Sequence, residues 1–317
     1  MQTISDIGDF IPAANGCVLT IGVFDGIHLG HRAVISRAKN LADAKGLELV
    51  LLTFNPGPKE FFFGTDEGFY LLSIKELERE LIPLGVDRLL LVPFDNRFRE
   101  LGAVDFLRDY VRGKLDAKAL VVGSDFSFGF RKEGDIELIG SLSHELGLEL
   151  VAVDEVTIDG VPVRSTVLRK LIREGKIEDA NHLLGYEFYT MGIVNKGQGV
   201  GKELNCRTAN IDWPSSKVKL RRGVYIVKAL IDDVEYPAVA NFGLRPTVAA
   251  GNTEERLEVH LLDFDGQLEG KEIIVKFLRF VRDEEKFPSM DALAKQIADD
   301  VAKAREFFLL KNLTERR

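Results

Sequence analysis

Thr20-Ile21-Gly22-Val23-Phe24-Asp25-Gly26-Ile27-His28-Leu29-Gly30-His31 leaves an apolar strand, passes two glycines and enters a helix. Behind it, the apolar run over 18–24 reads as a strand. Ahead of it, Val34, Ile35, Ala38, Leu41 and Ala42 recur at helical spacing over 32–45, and Gly46 supplies a stop. The same alternation continues downstream. Short apolar strands are expected over 47–54, 88–93, 119–122 and 148–153, with amphipathic helices over 74–84, 104–115 and 136–146. Nearly all-apolar strands alternating with helices predict an α/β domain, a Rossmann-like parallel sheet covered on both faces. A last helical pattern over 167–184 is expected to break at Gly175.

After Gly185 the texture changes. Strands are expected over 223–231, 234–241, 257–264 and 272–281, with Asp232-Asp233 and Asp265-Gly266 as turn signals. Closely spaced antiparallel strands predict a small β-barrel, followed by one amphipathic helix over 289–309. The expected division is therefore 1–185 and 186–317.

Open parallel sheets bind ligands beyond the carboxyl ends of their strands, where the first turn lies. A helix start presents unpaired N–H groups and the positive end of a dipole, which favours phosphate. Gly26 and Gly30 let backbone approach a nucleotide closely. His28 and His31, two of five histidines in the chain, can face one ligand and donate ring N–H groups to charge developing on a phosphate. A metal pair is the other reading, but no Cys/His cluster stands nearby to complete a zinc site. Two incidental histidines in a turn are the bland reading. The Gly-x-x-x-x-Gly-Lys pattern is missing, and Gly-x-Gly-x-x-Gly is missing from this turn.

Gly22-x-Phe24-Asp25-Gly26-x-His28-x-Gly30-His31 resembles the His-x-Gly-His nucleotidyltransferases, and its fuller form is similar to the bacterial bifunctional FAD synthetases. The resemblance continues through Gly123-Ser124-Asp125-Phe126-Ser127-Phe128-Gly129 and Arg164-Ser165-Thr166-x-x-Arg169. It implies that Gly22, Phe24, Asp25, Gly26, His28, Gly30, His31, Ser165, Thr166 and Arg169 bind ATP; Arg164 stands where the family usually has Ser, a departure able to add a phosphate contact. It implies that Asp125, Phe126 and Phe128 bind the flavin of FMN. The chemistry agrees: Ser165 and Thr166 precede an amphipathic run they can cap, and Arg169 offers a planar fork of donors. For Phe126 and Phe128, packing into a core is the alternative. The chain departs from the family where Phe-x-Pro-His-Pro is usual; here it reads Phe54-Asn55-Pro56-Gly57-Pro58.

In the second part, Gly197, Gly199, Gly201 and Lys202 form a glycine loop able to wrap N–H groups around phosphate. Thr208 and Asn210 offer hydroxyl and amide oxygens suited to Mg²⁺ beside ATP. With 241–247 and Glu258-Val259-His260, these segments resemble the riboflavin kinase module, a six-stranded barrel. That resemblance implies that Thr208 and Asn210 bind nucleotide and Mg²⁺ and that Glu258 is the general base; an outward carboxylate on a half-buried strand is its plain alternative. Asn205-Cys206-Arg207 stands where Gly-Phe-Pro is usual, a departure expected to alter nucleotide or magnesium affinity.

Bulk properties bound the rest. The 317 residues suffice for two domains. With 45% hydrophobic and 29% charged residues the chain is an ordinary globular one. Net charge is −8, from 42 basic and 50 acidic residues; it disfavours nucleic acid and anionic lipid as partners. Cys17 and Cys206 make no disulfide framework. Residues 1–10 carry Asp6 and Asp9 and no basic, apolar leader, and no apolar run reaches about 20 residues. The expectation is a cytoplasmic monomer or weak homo-oligomer. It phosphorylates riboflavin to FMN and adenylylates FMN to FAD, with ATP as co-substrate and Mg²⁺ as cofactor. The rivals are an FMN adenylyltransferase with a degenerate, flavin-binding kinase domain, a flavin or nucleotide sensor, and a nucleotidyltransferase for another phosphorylated compound.

Overall fold

Cys17–Ile21 is buried at every residue and forms an inner strand of a parallel sheet. The computed structural model describes residues 1–64, 68–195, 208–246 and 253–315. β1 (Gln2–Ile4), β2 (Cys17–Ile21), β3 (Glu48–Phe54), β4 (Arg88–Val92), β5 (Ala117–Gly123) and β6 (Glu149–Val153) are ordered β1-β4-β3-β2-β5-β6, every pairing parallel. From β2 the chain progresses outward through β3 and β4 on one side, and through β5 and β6 on the other. The topological switch therefore lies between β2 and β5, where such sheets open a crevice.

The period of two along β2 builds both layers of the core. Cys17, Leu19 and Ile21 pack with Phe106, Leu107, Val111 and Ile139, whereas Val18 packs with Ile35, Ala38 and Ala42. The helices up to residue 184 are, in chain order, α1 (Leu29–Lys45), α2 (Pro58–Phe63), α3 (Ile74–Leu81), α4 (Asn96–Glu100), α5 (Ala103–Asp105), α6 (Ile136–Leu146), α7 (Ser165–Arg173) and α8 (Ile177–Leu184). A π-helix over Phe106–Lys114 follows α5, where a regular helix over 104–115 was expected. The strand expected to reach Phe24 stops at Ile21, because Asp25 N–H turns back onto Val23 C=O (2.9 Å). The helix expected from residue 32 starts at Leu29, because His28 caps it. Gly175, at φ +77°, separates α7 from α8. A small hairpin, β7 (Thr157–Ile158) with β8 (Val161–Pro162), leads into α7.

The remaining strands are β9 (Tyr189–Ile193), β10 (Thr208–Asp212), β11 (Gly223–Ile231), β12 (Val234–Pro246), β13 (Thr253–Leu261) and β14 (Glu272–Asp283). They form a second six-stranded sheet, ordered β10-β13-β12-β11-β14-β9 and antiparallel throughout. Asn195 N–H bonds Asn210 C=O (2.9 Å), which brings the chain after β9 back to β10 and curls the sheet into a near-barrel. Tyr225, Phe242, Phe277 and Trp213 fill it, with Trp213 and Phe242 edge to face at 4.9 Å. The terminal helix Met290–Glu315 lays Val301, Ala304, Phe307 and Phe308 against Ile226, Leu262 and Leu278. Arg282 clamps Asp300 with bonds of 2.8 and 3.0 Å, and Asp300 is 3% exposed.

The chain divides into two compact units at Val167/Leu168, ahead of the change in composition at 185/186. The reason is local. Asn181 on α8 donates to Phe277 C=O (2.9 Å) on β14 and accepts from Phe188 N–H (2.7 Å), so α8 packs with the antiparallel strands.

Candidate active sites

The first site is built on the turn after β2. Gly22 N–H still pairs with Leu52 C=O (3.2 Å), and Phe24 N–H then reaches Thr53 Oγ1 (3.4 Å). The Asp25 carboxylate accepts from Leu71 N–H (2.7 Å), a bond that ties the turn to a segment 46 residues away. Gly26 has φ +93°, and a Cβ there would lie 2.5 Å from Leu71 Cδ1. Both its backbone and its neighbour therefore exclude a side chain.

His28 occupies the N-cap of α1, and its Nδ1 accepts from His31 N–H (3.3 Å). A neutral imidazole whose Nδ1 accepts carries its proton on Nε2, so Nε2 is the donor atom of this ring. The rings of His28 and His31 stack at 3.6 Å with 16° between planes, and Phe24 meets His31 edge-on at 5.2 Å. Gly30 permits the stack to sit close: a Cβ there would be 3.2 Å from His28 Nδ1 and 3.3 Å from Val163 C=O.

The second motif meets the first. Ser165 Oγ donates to Asp25 C=O (2.9 Å), which brings the start of α7 against the histidine turn. Ser165 is thus the first helical residue, bonded outward, where a capping role for its hydroxyl was expected. Thr166 is exposed, and Arg169, one turn along α7, is 6% exposed. Arg164 is exposed and pairs with Glu155; that bond first, and the nearby Asp125 charge to a smaller degree, hold its guanidinium above its ordinary range.

Asp125, Phe126 and Phe128 stand on the loop after β5, across the switch point from β2. Phe126 and Phe128 stack at 5.3 Å (16°) and pack on the core beside Phe106. Asp125 is exposed. Further aromatics lie past β3 and β4, with Phe54 against Phe94 (5.6 Å) and Phe98 (5.5 Å). At Gly57, whose missing side chain marks the departure in sequence, Tyr70 Oη receives Gly57 N–H (3.1 Å) and donates to Glu60 (2.6 Å). Burial first, and then the Glu60 bond, push the Tyr70 hydroxyl up to about 12. Local spacing carries no signal for Tyr70, Leu71 or Thr53, because each reaches the site through a distant contact.

In the second unit, strand register assembles the other candidates. Thr208 pairs with His260 and Asn210 pairs with Glu258, so the β10 residues and the carboxylate share one face. On its other side Glu258 pairs with Asn241 of β12. Asn210 is buried, and Thr208 and Glu258 are exposed. Surrounding protein raises the Glu258 carboxyl above its ordinary range; Arg256 opposes this and Glu284 adds to it. Hydroxyl and amide oxygens next to a carboxylate suit a hard divalent cation. Gly197, Gly199, Gly201, Lys202 and the segment Asn205-Cys206-Arg207 lie outside the described residues.

Comparison with known proteins separates the same two parts. The family model for FAD synthetase matches residues 11–167, and that for riboflavin kinase matches residues 184–308. The bifunctional riboflavin kinase/FMN adenylyltransferase of Pseudomonas fluorescens is 37% identical over 305 residues, 96% of this chain and 97% of that protein. The protein of that name in Escherichia coli (strain K12) is 38% identical over 294 residues, 92% of this chain and 93% of its own. A crystal structure described as a macrolide-efflux protein from Streptococcus pneumoniae is similar with a TM-score of 0.83 and 30% identity, covering 96% of this chain and 98% of that one. Among the described residues here, no helix is long and apolar enough to cross a membrane. Identity sustained from end to end, with both family models matched in order, shows that the chain belongs to the family of bifunctional riboflavin kinase/FMN adenylyltransferases.

Proposed function

We propose that this chain makes FAD from riboflavin in two ATP-dependent steps, one in each unit, in the cytoplasm. The observation that carries the reading is the bond from Ser165 to the Asp25 carbonyl. It joins two phosphate-binding elements, the His28–His31 helix start and the start of α7, at the switch point of the sheet.

In adenylylation, an oxygen of the FMN phosphate attacks the α-phosphorus of ATP. A P–O bond forms, the bond to the β-phosphate breaks, and pyrophosphate leaves. The nucleophile is already an anion and needs no base, so the work is alignment and charge stabilisation. His28 Nε2–H and His31 donate to the phosphate oxygens. Gly22, Phe24, Asp25, Gly26 and Gly30 shape the turn; Ser165, Thr166, Arg164 and Arg169 hold the polyphosphate. Asp125, Phe126 and Phe128 receive the flavin.

In phosphorylation, Glu258 takes the proton of the terminal ribityl hydroxyl as that oxygen attacks the γ-phosphorus, and ADP leaves. A positioned base of this kind contributes roughly 10²–10⁴-fold. Thr208 and Asn210 would hold Mg²⁺, which when bound supplies charge neutralisation at the triphosphate. Gly197, Gly199, Gly201 and Lys202 wrap the nucleotide. The protein is a monomer or weak homo-oligomer, with the kinase part of the sequence beginning near residue 186.

Incubating the protein with riboflavin, ATP and Mg²⁺ and separating the flavins tests the reading. FMN should appear first and FAD should follow. FAD formed from FMN, with no FMN formed from riboflavin, would refute the kinase half and favour the single-activity rival.

A further inference from the structure

The Glu258 face of the second unit carries its side chains in rows set by register. Asn210, Glu258 and Asn241 stand side by side on β10, β13 and β12. In the next row stand Asp212, Arg256 and Gly243. Gly243 is extended backbone, so conformation does not call for glycine there. Space does: a Cβ would lie 2.4 Å from Glu284 Oε1 and 3.0 Å from its Cδ. Glu284 directly follows β14, so the chain leaving that strand lays its carboxylate over the gap.

Two carboxylates thus come to one face, Glu258 on β13 and Glu284 over β12. Among the described residues neither makes a hydrogen bond or ion pair, and Arg256, the cation in the adjacent row, pairs with Asp212 (3.5 Å).

The order of groups across the strands says which ligand. In-line phosphoryl transfer sets the attacking and leaving oxygens on opposite sides of phosphorus. With Glu258 as the base, a reading this inference rests on, the nucleotide lies towards Thr208 and Asn210 on β10. The carbon chain of the attacking alcohol then runs the other way, over Asn241 and Gly243. That chain in riboflavin is a row of hydroxyl donors, and a carboxylate accepts from hydroxyls through strong, charge-assisted bonds.

We propose that Glu284 binds the ribityl hydroxyls of riboflavin, and that Gly243 is glycine so that this carboxylate can reach them. Glu284 is then a substrate-binding residue on the flavin side of the base, separate from the nucleotide side.

The test uses the full chain. Riboflavin binding is titrated by flavin fluorescence, and KM values for riboflavin and ATP are measured in FMN formation. Glu284→Ala should weaken riboflavin binding about ten- to hundred-fold, the effect of losing a hydrogen bond to a charged group, and leave the ATP KM unchanged. Glu284→Gln, which keeps an acceptor oxygen, should fall between. Gly243→Ala displaces the carboxylate without removing it and should weaken riboflavin binding several-fold; it carries the test if Glu284→Ala fails to fold. Unchanged riboflavin affinity in Glu284→Ala or Gly243→Ala would overturn the proposal, as would a rise confined to the ATP or Mg²⁺ requirement. Glu258→Gln tests the base separately, since it should lower turnover while riboflavin still binds. Full turnover in that variant would remove the base and leave the Glu284 binding result standing on its own.

Discussion

His28 holds two roles that substitution can separate. Its Nδ1 caps α1 by accepting from His31 N–H, and its Nε2–H is the donor proposed to meet the phosphate. His28→Ala removes both. Loss of an N-cap costs about 1 kcal/mol. In a unit the size of Met1–Val167 that lowers the melting temperature by about 2–4 °C. Loss of a donor aimed at developing charge costs about 10²–10³-fold in rate. His28→Asn keeps a capping oxygen at the same position and discards the ring. It should therefore melt like the parent protein and still lose about 10²-fold in FAD formation. The assay is FAD production from FMN and ATP beside FMN production from riboflavin in the same sample; the second rate should persist in both variants. Two results would refute the reasoning. One is His28→Asn within about threefold of the parent in FAD formation, which would reduce His28 to a cap. The other is equal loss of both activities in a folded variant, which would break the assignment of one step to each unit.

Asp300→Ala leaves Arg282 half of a nearly buried pair and should destabilise the second unit by roughly 3–5 kcal/mol, read by chemical denaturation; a loss under about 1 kcal/mol would mean the helix docks by apolar contact alone. Burial pushes the Cys17 thiol up to about 12 from its ordinary value near 9, and its Sγ–H donates to Leu115 C=O. The folded state therefore keeps a proton that the unfolded chain releases. Stability from this group is complete below about pH 9 and is lost as pH rises towards 12. In a Cys206→Ser background the native thiol should resist alkylation at pH 8.5, and rapid labelling there would contradict the burial. A fragment 168–317, which keeps Asn181 and α8, should unfold at a higher temperature than 186–317; equal midpoints would show that α8 contributes nothing to the barrel.

The first site was largely legible because its chemistry sits in short, contiguous segments. A strand-to-helix turn specifies its own cap and its own glycines, so His28, Gly30 and His31 come together through local geometry alone. Ser165 was also visible as a residue at a helix start. Its partner was not, since the bond to Asp25 spans 140 positions. The departure at Gly57 reads in sequence as a missing contact, and only the fold brings Tyr70 and Glu60 to that place. The strand expected through Phe24 ended early because a backbone bond within the turn outcompeted the ladder. The π-helix at Phe106–Lys114 was read as regular because apolar spacing does not distinguish the two windings over so few turns.

Hydrophobic period and glycine placement were enough, by themselves, to determine the α/β and barrel classes and to mark the first turn, with its two histidines three residues apart, as the strand-to-helix junction of a candidate site. Such signals act within a few residues of their origin, and they survive without knowledge of the rest of the chain. Tertiary structure alone decided which residues share a face. The pairing of Asn210 with Glu258 and Asn241 follows from strand register, and the seating of Glu284 on Gly243 follows from where β14 ends. It decided also that α8 packs with the antiparallel strands while composition changes only later. Register and helix docking are set by the summed burial of many distant side chains, and no local window of sequence contains that sum.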